Sequence, residues 1–261
     1  MISRFWQALR RRREQSSLAR RAIPDRLWQQ TLDALPFLAP RAQDDLQRLR
    51  RLASLFLDRK EFTGAGGFVV DDATALSVAV QACLPVLELG IDQYDGFVGI
   101  VMHADAVVAR REVTDAHGVV HHYDETLAGE AMEGGPVMLS WADVQGGGRD
   151  EASPSAYNVV IHEFAHVLDM RDGAPDGVPL LPTDKDRAAW LAVLMPEYDR
   201  FCERVVCGYE TVLDPYAAEA PDEFFAVASE AFFVTACELE AEQPALYRLL
   251  ASYYRQDPAR L

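Results

Sequence analysis

The sequence predicts an α+β fold, mainly helical, with a small mixed sheet on one side of a helical core. Three observations carry this. Helix-period apolar patterns fill both ends of the chain. The strand-like stretches gather in one middle region rather than alternating with helices. The 261 residues are 49% hydrophobic, enough for one large packed domain.

Residues 1–22, containing "MISRFWQALRRRREQ", read as a basic N-terminal tail, loose or briefly helical, and residues 23–261 as a single domain. From Pro24 to Lys60 two helical patterns are split by Pro36 and Pro40. "FTGAGGFVV" reads as a turn with a short strand, after which Asp72 is placed to cap a helix through "ATALSVAVQACLPVLEL". Pro85 bends or ends that helix, which is apolar nearly all round and therefore buried. "GFVGIVMHADAVVARREV" gives one or two strands, "HGVVHHYDE" continues them, and "GGPVMLSWADV" supplies another bounded by glycines. The loop "QGGGRDEASPSA" then leads into a helix, with Ser153 or Ser155 as its cap. Further helices follow over roughly 185–206, 221–235 and 243–255.

Composition excludes several classes. No stretch approaches 18 uninterrupted apolar residues, so no membrane span is expected. The arginine cluster at the start is not followed by the apolar run and small-residue site of a secretory signal. The four cysteines form no C-x-x-C pair and read as reduced, mostly buried thiols of a cytoplasmic protein. Charge is unevenly spread: residues 1–60 hold 14 Lys/Arg and 6 Asp/Glu, the remainder 11 and 35. So acidic a body argues against direct nucleic-acid binding and favours cationic partners or substrates with a free amino group.

The chemistry lies in "VVIHEFAHVLD", residues 159–169. A helix turns about 100° per residue, so His162 and His166 leave one face about 40° apart, within reach of a single ion. Glu163 leans off the same face. Two imidazoles and a carboxylate in H-E-x-x-H order suit one zinc ion per chain, with Glu163 beside the water that the metal activates. The surrounding residues are apolar, and burying such a group unpaired costs several kcal/mol. The strand "PVMLSWADV" just upstream is a candidate edge for pairing with a substrate backbone.

A third ligand is needed. The extended motif H-E-x-x-H-x-x-G-x-x-H is absent, because the chain has Asp169 and Asp172 at its last two positions. Asp169 lies about 20° from His162 on the helical wheel and is a candidate acceptor for a ligand imidazole's other N–H. "APDEFFAVASEAFF" reads as an apolar helix carrying Glu223 and Glu230 on one face, seven residues apart. Carboxylates embedded there need a cation or a donor; Glu223 is taken as the third ligand and Glu230 as a support that hydrogen-bonds across to the first metal helix. Glu130 and Glu133, in "GEAMEGGP", are candidates for binding a substrate's amino terminus.

At "HEFAHVLDMRDG", "GVPLLP" and "YAAEAPDEFFAVASEAFF" the sequence resembles the Mlc titration factor A family of metallopeptidases. Further echoes are "CLPVLELG", "DGFVGIVMH" and "GPVMLSWADV", so the likeness runs from about residue 35 to about 258. The resemblance implies a zincin-like, gluzincin-type domain whose sheet flanks the active-site helix. It implies zinc on His162, His166 and Glu223, with Glu163 as catalytic carboxylate. The family motif, shared with the catalytic domain of anthrax lethal factor, also holds a tyrosine seven residues before the ligand glutamate. That residue corresponds to Tyr216 here. Implied with these are a cytoplasmic location, peptidase activity of an aminopeptidase-like kind on small substrates, and binding of the Mlc repressor of sugar uptake. The rival reading is a regulator-binding protein that sequesters a transcription factor around a structural zinc site.

Overall fold

The computed structural model describes residues 12, 14–114, 120–149 and 156–261. Residues 14–20 are helical and lie against the second of the long helices: Glu14 pairs with Arg51 and Arg20 with Asp58. Next come α1 (Asp25–Asp33) and α2 (Gln43–Arg59), then β1 (Glu61–Gly64) and α3 (Asp72–Cys83). The cap of α3 is Asp71 rather than Asp72, since its side chain accepts from the Thr74 N–H. The helix stops at Cys83, and the apolar stretch around Pro85 continues it as buried turns.

The middle of the chain supplies β2 (Gly99–His103), β3 (Val107–Thr114), β4 (Val120–Leu127), β5 (Gly129–Ala131) and β6 (Val137–Ser140). One mixed sheet runs in the order β1-β2-β6-β5. β1, β2 and β6 are parallel, with Ile100 opposite Val137, while β5 is antiparallel to β6, with Glu130 opposite Met138. β3 and β4 form a separate antiparallel hairpin. "GGPVMLSWADV" is therefore a strand for only four residues: Ser140 caps a short helix, α4 (Trp141–Gly146). β6 is also interior to the sheet, so the edge strand is β5 instead. The reason is local, because the small residues of "GEA" let a three-residue strand pair closely where no alternation announces it.

Two short strands, β7 (Gly148–Arg149) and β8 (Ala156–Tyr157), lead to α5 (Val159–Asp169). Ser153 and Ser155 lie outside the described residues, and the cap of α5 is Asn158, whose side chain accepts from the Ile161 N–H at 2.9 Å. Then follow α6 (Asp184–Val206), α7 (Pro221–Val234), α8 (Ala236–Glu242) and α9 (Pro244–Tyr254). Sequence patterning missed α8, a short helix separated from α7 by Thr235 alone.

The core explains the order of layers. Phe164 of α5 meets Phe56, Tyr94 and Phe97, with the Tyr94 ring centroid 4.9 Å away. Phe224 and Phe225 of α7 meet Phe201 and Trp190 of α6. Every residue of α7 from Phe224 to Phe233 is buried, so this helix runs through the centre of the molecule. Among the cysteines only Cys83 is buried; Cys207 and Cys237 are exposed, contrary to the expectation of mostly buried thiols, and all four are free. Among the described residues no helix is long and apolar enough to cross a membrane.

Candidate metal centre

The packing of α5 against α7 brings His162, His166 and Glu223 together. The two Nε2 atoms lie 3.2 Å apart and face each other, with the rings at 75°. Glu223 comes from the first turn of α7, which Pro221 opens; its Oε2 lies 3.0 Å from His162 Nε2 and 3.4 Å from His166 Nε2. Burial works against the Glu223 carboxylate, yet the two histidines outweigh it and hold its pKa well below the usual range. The α7 N-terminus adds favourable dipole there.

The residues fit a divalent cation on an internal observation. Glu223 Oε2 is buried and has no well-directed hydrogen-bond donor, although two imidazole nitrogens stand within 3.4 Å. Two imidazole nitrogens and a carboxylate oxygen that converge on one point match the donor set of a metal. Among the described residues the group numbers three, which leaves a position open for water or substrate.

Glu230 lies one face-repeat along α7 from Glu223. Its Oε1 is 2.8 Å from His162 Nδ1, and its other oxygen accepts from the Asn158 N–H. A proton on Nδ1 donated to Glu230 leaves the Nε2 lone pair aimed at the cluster. Asn158 in turn donates from Nδ2 to Gln81 of α3 at 2.8 Å. This link from imidazole to cap to neighbouring helix escaped the sequence reading, where only the asparagine before an apolar run signals it.

Asp169 does something other than expected. Its Oδ2 accepts from the Gly177 N–H at 2.8 Å instead of from an imidazole, and its Oδ1 has no partner. Burial pushes the Asp169 pKa up to about 7, against the opposing pull of that N–H. Gly177 is held on three sides. Its carbonyl accepts from Trp190 Nε1 at 2.9 Å, and a Cβ there would stand 2.4 Å from the Pro221 carbonyl oxygen. Its φ of +76° also demands glycine. Asp169 thus ties the end of α5 to a loop that packs on Pro221 at the start of α7, two residues from Glu223.

Glu163 is 5% exposed and faces the edge strand β5. Burial raises its pKa; the two histidines and a hydrogen bond from the Ala131 N–H act the other way. A Cβ on Gly129 would stand 2.4 Å from Glu163 Oε1, so only glycine lets the carboxylate lie there. Strand alternation then turns Glu130 to the opposite face of the sheet from Glu163. Glu133 lies beyond β5, beside Gly173 of the loop after α5. The Tyr216 ring stands 6.2 Å from the His162 ring on the turn Pro215–Ala218, whose cap is Asp214. Gly129, Asn158, Gly177 and Asp214 had no place in the sequence-based list of site residues.

A family model described as glucose-regulated metallo-peptidase M90 matches residues 6–255. An uncharacterised protein of Synechocystis sp. is 37% identical over 246 residues, which is 94% of this chain and 88% of the relative. The Mlc titration factor A of Enterobacter sp. is 37% identical over 241 residues, 90% of this chain and 88% of its own length. That of Escherichia fergusonii is 37% identical over 235 residues, covering 88% and 86%.

Proposed function

Because the chain belongs to the glucose-regulated metallo-peptidase M90 family, we propose that it is a zinc-dependent peptidase in which His162, His166 and Glu223 hold the metal and Glu163 is the general base. The observation that carries this is the buried Glu223 Oε2 between two facing Nε2 atoms, with a second buried carboxyl, Glu163, next to them.

Zinc held there would supply Lewis acidity, lowering the pKa of a water and polarising the scissile carbonyl. Glu163 takes the proton from the attacking water and delivers it to the leaving amine. Its burial and raised pKa suit a group that must both accept and return a proton. The edge of β5 offers backbone groups for an extended substrate. Tyr216 donates its hydroxyl to the oxyanion, a contribution worth about 10²–10³ in rate. Glu230 fixes the tautomer of His162.

Glu163→Gln tests the assignment. Turnover of chromogenic peptides falls by about 10²–10⁴ while zinc stays at one per chain; a variant that loses its zinc as well makes Glu163 structural instead.

Two finer parts go further. Aminopeptidase-like action on small peptides rests on Glu133, beside the loop after α5, and on the acidic body, while Glu130 within β5 faces away from Glu163. Acetylating the substrate's amino group then stops cleavage; unchanged cleavage removes this part. The relatives' name, Mlc titration factor A, supports a second role in the cytoplasm, binding an Mlc-like transcriptional repressor. Co-purification of the two proteins tests it, and their separate elution at micromolar concentration rejects it. Were zinc only structural in such a regulator-binding protein, a fourth protein ligand would close the site.

A further inference from the structure

A cavity of about 270 Å³ opens directly beside the metal cluster and shares His162, Glu163 and Tyr216 with it. Whole-ligand pockets run to roughly 300–1,000 Å³, so this space is of a size for one side chain. Its apolar wall is Leu127, Ala128, Val159 and Val227. Two of these belong to the ligand helices: Val159 lies three residues before His162, and Val227 four residues after Glu223. Each is one turn from a ligand and faces the same way. Leu127 and Ala128 close the space from the strand side, where β4 passes into β5.

The polar boundary is anionic. Asp214, Glu163 and Glu230 all line the cavity, with His162, Thr126, Tyr157 and Tyr216 as its other polar residues. The two oxygens of Glu230 are taken by His162 and the Asn158 N–H, and Asp214 Oδ1 by the Tyr216 N–H. An acidic side chain entering here would meet the like charge of three carboxylates. A cationic one would find the buried Glu230 already engaged.

We propose that this cavity binds the side chain of one residue flanking the scissile bond and selects an uncharged aliphatic group of valine-to-leucine size. The inference rests on the peptidase reading of the same site and adds its substrate class. Val227 and Ala128 set the depth and width of the subsite, and Asp214 with Glu230 excludes acids.

The test is a peptide series bearing Ala, Val, Leu, Phe, Glu or Lys at each of the two positions flanking the cleaved bond, with zinc-loaded enzyme. At one of those positions kcat/KM for Leu exceeds that for Ala by about 10-fold or more, and Glu is the poorest residue. Val227→Ala moves the optimum from Leu toward Phe, and Ala128→Leu lowers the Leu-to-Ala ratio by about 10-fold, both with zinc content unchanged. Preference for Lys over Leu overturns the proposal, as does a uniform loss across all peptides in both variants. If the wild-type enzyme, carrying one zinc, cleaves no peptide in the series, the peptidase reading falls and takes this subsite with it.

Discussion

The α5–α7 side of the metal cleft is packed by aromatic rings and closed by buried hydrogen bonds, whereas the β5 side is a three-residue strand of half-buried residues. The metal-ligating candidates all sit on the first side. Glu230 holds His162 from behind, and the Asp169–Gly177–Trp190 clasp joins the end of α5 to α6, with Gly177 packed against Pro221 at the start of α7. The second side meets the first chiefly through Glu163, which lies against Gly129 and Ala131. Helices fix atoms that must stay in place for a cation. An edge strand offers backbone groups that a substrate can take up and release.

Substitutions on the two sides should therefore fail differently. Gly129→Ala puts a Cβ where Glu163 Oε1 now lies, so the base must move. A misplacement of about 1 Å costs about 10²-fold in turnover. We expect that loss in kcat with zinc content unchanged; loss of zinc would show that the β5 side also holds the metal. Glu230→Ala acts on the opposite side and weakens zinc affinity by about 10–100-fold in competition with a chelator. An unchanged affinity would leave Glu230 without a part in orienting His162.

Much of the first side was legible in the sequence. The i, i+4 spacing of His162 and His166 is a property of any helix, and an acid in a helix as apolar as α7 needs a partner wherever it sits. That made Glu223 and Glu230 readable from one helical wheel each. Asp169 was misread for the same reason in reverse. The wheel relates residues within one helix, but its actual partner, Gly177, comes from the loop beyond. The edge strand was assigned to "PVMLSWADV" because alternation and glycine boundaries are visible there, while "GEA" is too short to carry a period. Asn158 was passed over for the two serines upstream, since capping propensity alone ranks these residue types alike.

A smaller effect comes from the clasp. Gly177→Ala combines a left-handed φ, worth about 1–2 kcal/mol, with a contact on the Pro221 carbonyl. The melting temperature of the metal-free protein should drop by a few degrees. No drop would mean that α5 and α7 are held together by their other contacts, among them the Glu230 bonds to His162 and Asn158.

The smallest effect is a pH slope. The Asp169 pKa is raised to about 7 in the folded state, so the folded protein binds more protons than the unfolded one between about pH 4 and 7. Its contribution is fully present below pH 4 and is lost as the pH rises through 7. Asp169→Asn keeps an oxygen for the Gly177 N–H and has no charge to bury. Wild-type stability measured by urea unfolding should fall relative to this variant from pH 4 to 8; parallel curves would mean that Asp169 is ionised throughout.

The most direct test is anomalous X-ray scattering at the zinc edge from crystals of the purified protein. The account predicts one strong peak per chain, about 2.0–2.2 Å from His162 Nε2, His166 Nε2 and a Glu223 oxygen, with no fourth protein ligand. A chain without that peak after growth with zinc, or a peak closed by a fourth side chain, would contradict it.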